Sequence, residues 1–99
     1  MYRHSIATIK AKVLRGVCST REHPEGDWED PQLLQEHLLW MCEQVESWPM
    51  SIMELPKASR WVGWMFAKME SLGLMTNRES RDCARLDSHE IKSWPNNRD

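Results

Sequence analysis

Four histidines, three cysteines and a run of carboxylates are the residues of this chain that could do chemistry, so their spacing is the first test of function. His4, His23, His37 and His89 stand apart. No HExxH and no Cys/His cluster offers the four convergent ligands of a tetrahedral metal site, so no metal is expected. Nucleophilic catalysis needs a Ser or Cys beside a His that an acid orients. The nearest sequence neighbours, Ser88-His89-Glu90, are consecutive and point to different sides of a helix. A pairing made across the fold, such as Cys42 with a histidine, is left open by sequence. The acidic stretch from Ser19 to Asp30 could seat two carboxylates. Acid/base work requires a pocket that raises one pKa, and a solvated loop containing Pro24 and Gly26 supplies none. The four glycines stand singly, so there is no phosphate loop and no cofactor is expected. By elimination, the chain is read as a binder and not as an enzyme.

Six Trp and seven Met accompany a single Phe and a single Tyr. Trp gives a large anchor with a polar handle and Met an adaptable filler, and both are enriched at protein interfaces, although a small core can also use such bulk. Trp61 and Trp64 are three apart on one helical side and are expected to be buried. Trp28, Trp48 and Trp94 lie at loops and helix ends, beside acids or prolines, and are expected to meet a partner together with Pro49 and Pro95. The Trp48-Pro49 and Trp94-Pro95 bonds either end helices or are conformationally gated, since bonds to proline can be cis. A gated bond would make a prolyl isomerase an accessory partner. Arg78, Arg81 and Arg85 share one side of a helix, the feature most like a nucleic-acid contact. The stretch from Leu72 to Arg85 resembles a helix-turn-helix junction, in which a tight turn precedes a basic helix. Asp82 can pair with Arg78 at i,i+4, which gives a solvated, salt-bridged face as the plainer alternative.

Four helices must position these residues. Ile6, Ile9, Val13, Leu14 and Val17 predict a first helix over residues 4–17. A long acidic loop carrying Trp28 follows. Asp30-Pro31 gives an N-cap and a proline at the first helical position, opening a second helix. Its apolar residues from Leu33 to Val45 cover a wide arc, which predicts the central position in the fold. Trp48-Pro49 ends it, and a proline-bounded connector over residues 50–56 either packs down or offers a contact surface. A third helix starts at Lys57 and runs to a glycine C-cap at Gly73, with Leu74 as its hydrophobic contact. Thr76-Asn-Arg-Glu79 is a capping box opening a fourth helix at Asn77. That helix has few apolar positions, Cys83, Leu86, Ile91 and Trp94, so it is either peripheral or steadied by a partner. Residues 94–99 read as a flexible tail.

Ninety-nine residues make one domain, and the fold class is a small all-α bundle of about four helices. A net charge of −2 argues against a phosphate backbone or anionic membrane as the main partner, and direct nucleic-acid binding is not expected. No apolar run approaches the roughly 20 residues of a membrane span, and the start lacks a signal-peptide core, so a cytoplasmic location is expected. Cys18, Cys42 and Cys83 are odd in number and widely spaced, as free thiols would be.

A compact helical chain, rich in Trp and Met and without catalytic residues, resembles a bacteriophage accessory protein. In size, helical build and lack of catalytic motifs it is similar to the small anti-RecBCD proteins of temperate lambdoid phages. The likeness spans the whole chain as a general type and carries no site residues with it. It implies a protein that binds the host recombination nuclease, chiefly through its RecC subunit, so that phage DNA ends survive and recombine. A small DNA-binding regulator using Arg78, Arg81 and Arg85 is the alternative from another class. An inhibitor of another host defence, such as an anti-CRISPR or anti-restriction protein, is a third.

Overall fold

The computed structural model describes residues 1–13, 22, 29–49, 51 and 53–93. Four helices follow one another, α1 (Arg3–Lys12), α2 (Pro31–Ser47), α3 (Leu55–Ser71) and α4 (Asn77–Ser93). No strand occurs among the described residues, so the chain is all-α. The acidic loop falls mostly on residues 14–21 and 23–28, outside the described residues, as does the tail from Trp94.

Helix ends follow the capping chemistry of the sequence. Asp30 accepts from the Gln32 N–H at 2.9 Å, and Pro31 needs no donor where it stands. Gly73 takes φ 75°, where a side chain would be strained. Its N–H bonds the Glu70 carbonyl at 3.0 Å and that of Leu74 the Met69 carbonyl at 3.0 Å, the paired bonds of a Schellman ending. Three residues after Gly73, at Thr76, the capping box closes. Thr76 N–H donates to Glu79 Oε1 at 3.0 Å, and Glu79 N–H donates to Thr76 Oγ1 at 3.2 Å.

Two boundaries differ from expectation. The first helix stops at Lys12, and Val13 is extended at φ −64°, ψ 139°; Leu14 and Val17 lie outside the described residues. The third helix begins at Leu55, two residues early, because Pro56 fits its first turn, where no N–H bond is lost.

The core gathers Ile6 and Ile9 from α1, Leu34, Leu38, Met41, Cys42 and Val45 from α2, Ala58, Val62, Met65, Phe66 and Met69 from α3, then Met75 and Cys83. On α2, residues 34–38 are buried in succession, as a helix covered on several sides requires. Yet α1, the shortest of the four helices, packs more extensively on the others than α2 does, while α4 leans chiefly on α1. The central position assigned to the second helix is therefore shared. Few apolar residues hold α4 because its polar ones do much of the docking.

That docking runs antiparallel along α1. Arg3 pairs with Glu90 at 2.6 Å near one end, and Lys12 pairs with Glu79 at 2.5 Å at the other. Between them the carboxylate of Asp87, buried at 1% exposure, accepts from the His4 N–H at 2.9 Å, the Ser5 N–H at 3.1 Å and the Ser5 hydroxyl. Tyr2, at the N-cap of α1, has φ 56° and offers no side-chain cap. Asp87 supplies from another helix what a local Asp or Ser would give, an anion on the orphan donors at the positive end of the helix dipole. Lys10 bridges to Glu46 of α2 at 3.0 Å, a contact that holds its ammonium above the ordinary lysine value. The fourth helix is thus steadied from within the chain.

Candidate functional site

The four described tryptophans converge on one face, formed by the facing sides of α2 and α3. On α2 the helical spacing His37, Trp40, Met41 brings an imidazole, an indole and a thioether to one side, with Trp48 just past the helix end. On α3 the same spacing aligns Lys57, Arg60, Trp61, Trp64 and Lys68. The rings meet across the helix pair. Trp40 lies 5.9 Å from Trp61 between ring centroids, and Trp48 sets its edge on Trp61 at 4.7 Å. His37 stacks on Trp40 at 5.5 Å and meets Trp64 edge-on at 5.8 Å. These separations are those of favourable aromatic pairs, each adding about 1 kcal/mol beyond area burial.

Cations lie on the rings. Lys57 Nζ is 4.7 Å from the Trp48 centroid and 5.6 Å from that of Trp61, and Lys68 Nζ is 5.3 Å from that of Trp64. Between the helices an open cleft of about 300 Å³ is lined by His37, Met41, Arg60, Trp61 and Trp64. Lys57 and Arg60 are exposed, and among the described residues neither has a carboxylate within ion-pair distance.

All four described indoles, Trp40, Trp48, Trp61 and Trp64, pack on the core while remaining half-buried. The expected division, with Trp61 and Trp64 inside and Trp48 outside, is replaced by a single cluster. Its physical reason is that α2 and α3 cross with these side chains at the rim of their interface, where a large ring can bury one side only. Trp28, Trp94 and Pro95 lie outside the described residues. Pro49 is exposed, and the Trp48–Pro49 peptide is trans.

Arg78, Arg81 and Arg85 are all exposed on α4 and belong to a different surface. Arg81 borders a groove between α3 and α4 with Gly63, Phe66 and Ala84. Among the described residues no ion pair joins Arg78 to Asp82, so the salt-bridged face foreseen for these arginines does not form there. Met53, in the connector before α3, is the most exposed large apolar side chain among the described residues, at 85%.

Cys42 is fully buried with its Sγ 3.9 Å from Met65 Sδ, and burial pushes its thiol up to about 12. Such a thiol stays protonated and is a poor nucleophile at neutral pH. Among the described residues it makes no hydrogen bond to a histidine, and no three His, Cys, Asp or Glu side chains converge as metal ligands. No described helix is long and apolar enough to cross a membrane. The aromatic face thus brings together indole surface, cations and an open cleft.

Sequence reasoning missed His37, Trp40, Lys57, Arg60 and Lys68 as members of this face. The signal was present in the i, i+3/i+4 spacing of Lys57, Arg60, Trp61, Trp64 and Lys68, which marks one mixed aromatic and cationic stripe. No family model matches the chain, and neither a curated protein nor a solved structure matches it.

Proposed function

We propose that this chain works by binding another protein through the aromatic face of α2 and α3. The observation that carries the reading is the cluster of four half-buried indoles, two of which, Trp61 and Trp64, line an open cleft. Half-buried Trp is held in place by the core and still has area to lose to a partner, the condition under which one or two residues dominate binding energy. Fixed rings also cost little ordering entropy when a partner arrives.

Size, helical build and the lack of catalytic motifs are the features shared with the anti-RecBCD proteins, and they support a specific version of this proposal. In it the chain occupies the host RecBCD nuclease, chiefly at RecC, in the cytoplasm of an infected cell, protecting phage DNA ends and favouring recombination. Affinity capture from bacterial lysate with identification of the bound proteins is the test. RecC among them is the expected result, and recovery of no RecBCD subunit defeats that choice of partner, while a restriction or CRISPR component would place the chain against another defence system. The accessory prolyl isomerase draws no support from Trp48–Pro49, whose peptide is trans. Proline isomers resolved by NMR with and without such an enzyme test it, and a chain that is trans throughout removes it.

A second reading uses Arg78, Arg81 and Arg85 on duplex DNA, supported by their exposure and by the lack of an ion pair to Asp82 among the described residues. Steeply salt-dependent binding to duplex DNA would favour this reading; no binding at low salt favours the protein partner.

A further inference from the structure

Resting on the protein-binding reading, we propose that the occupant of the aromatic face is a short acidic segment of the partner, with one bulky apolar side chain in the cleft of His37, Met41, Trp61 and Trp64 and its carboxylates on Lys57 and Arg60. The argument is charge complementarity. Lys57, Arg60 and Lys68 are the charged residues of the α3 stripe that borders the cleft, and all three are basic, although the chain as a whole carries −2. Lys57 and Arg60 have no carboxylate within ion-pair distance among the described residues, so an incoming acid does not have to displace one. At 1.5 Å per residue, Lys57 and Lys68 stand about 16 Å apart along α3. That span suits about three turns of a bound helix or about five residues of an extended strand.

A single-stranded nucleic acid is the rival occupant, because it too joins negative charge to flat apolar groups. Two observations disfavour it. Stacking needs free ring faces, and here Lys57 lies over Trp48 and Trp61, Lys68 over Trp64 and the His37 imidazole over Trp40. A phosphate backbone also needs a continuous basic track, whereas this stripe begins with an acid, Glu54, one turn before Lys57. A carboxylate needs only an ammonium or guanidinium donor, and a single apolar anchor needs only the cleft.

The test follows the indole Nε1–H resonances of the full chain by NMR. The probes are a Trp-free peptide of about a dozen residues with a central Leu among Glu and Asp, the same peptide with Gln and Asn in place of the acids, and an oligo(dT) strand. Shifts of the described indoles with the acidic peptide alone are expected, weakened about tenfold or more in the Lys57→Glu/Arg60→Glu double variant. Both residues are exposed, so that variant should fold. No shift with the acidic peptide, equal shifts with its neutral form, or shifts with oligo(dT) instead would each overturn the inference. Capture of a cellular partner separates it from the reading beneath it. Loss of capture in Trp61→Ala with full capture by the double variant keeps the aromatic face and overturns the acidic segment, whereas full capture by both overturns the aromatic face itself.

Discussion

The α1–α4 junction and the α2–α3 rim are both built where two helices meet, and they treat their functional groups in opposite ways. At the junction three carboxylates are spent inside the chain: Asp87 on the start of α1, Glu90 on Arg3, Glu79 on Lys12 and on its own cap. At the rim the indoles are half-covered and two of the nearby cations have no acid partner among the described residues. Satisfied polar groups position and specify, and leave nothing over for a ligand. Half-satisfied aromatic and cationic groups hold their shape and still have contacts to give. The comparison separates a region that maintains the fold from one that can meet a partner, and substitutions can break it in either region.

The largest effect on stability is expected from Asp87→Ala. It leaves the His4 and Ser5 N–H groups and the Ser5 hydroxyl without their acceptor, at a cost of roughly 2–4 kcal/mol in urea unfolding. Partner capture by the fraction that remains folded should be unchanged. A loss below about 0.5 kcal/mol would mean that the buried carboxylate does not dock α1. Trp61→Ala should do the reverse. Truncating a half-buried ring costs about 1–2 kcal/mol of stability but about 2 kcal/mol or more of binding, roughly thirtyfold in affinity by titration. Thr76→Ala removes one side of the capping box and should lower stability by about 1 kcal/mol in thermal melts, with no effect on binding.

The smallest effect is a dependence on pH. The Lys12 ammonium, and then the Thr76 N–H, hold the Glu79 carboxyl below its ordinary value of 4.5. Folding therefore favours the ionised form. The contribution is fully present above 4.5 and fades as pH falls through the lower folded value. Because both side chains are open to solvent, the pair is screened and its contribution is small. Glu79→Gln should flatten that part of a stability–pH curve measured by chemical unfolding, while an unchanged curve would assign the acid sensitivity elsewhere.

Much of this division was legible before the structure. The caps at Asp30, Gly73 and Thr76–Glu79 were readable because capping is local, needing one side chain and the next turn of backbone. Asp87 was not, because its partners lie more than 80 residues away. The clue was indirect. Asp87 falls on the same stripe as Cys83 and Ile91, where an apolar residue would be expected, and α1 begins without a capping side chain. For the site, sequence pointed to Trp48 but parted it from Trp61 and Trp64, since helical spacing ranks residues within one helix and cannot tell which of them reach the rim between two. Trp61 is in contact with Trp40 and Trp48, and neither contact is visible until α2 lies against α3. The exposed arginines of α4 were placed correctly on one side, yet on a surface apart from the indoles.

The most direct measurement compares partner capture from bacterial lysate by the unaltered chain, by Trp61→Ala and by the triple variant Arg78→Ala/Arg81→Ala/Arg85→Ala, with each variant first shown to be folded by its helical circular dichroism. Loss of the captured protein in Trp61→Ala and its retention in the triple variant is the predicted result. Retention in Trp61→Ala with loss in the triple variant would contradict the account and place the functional surface on α4.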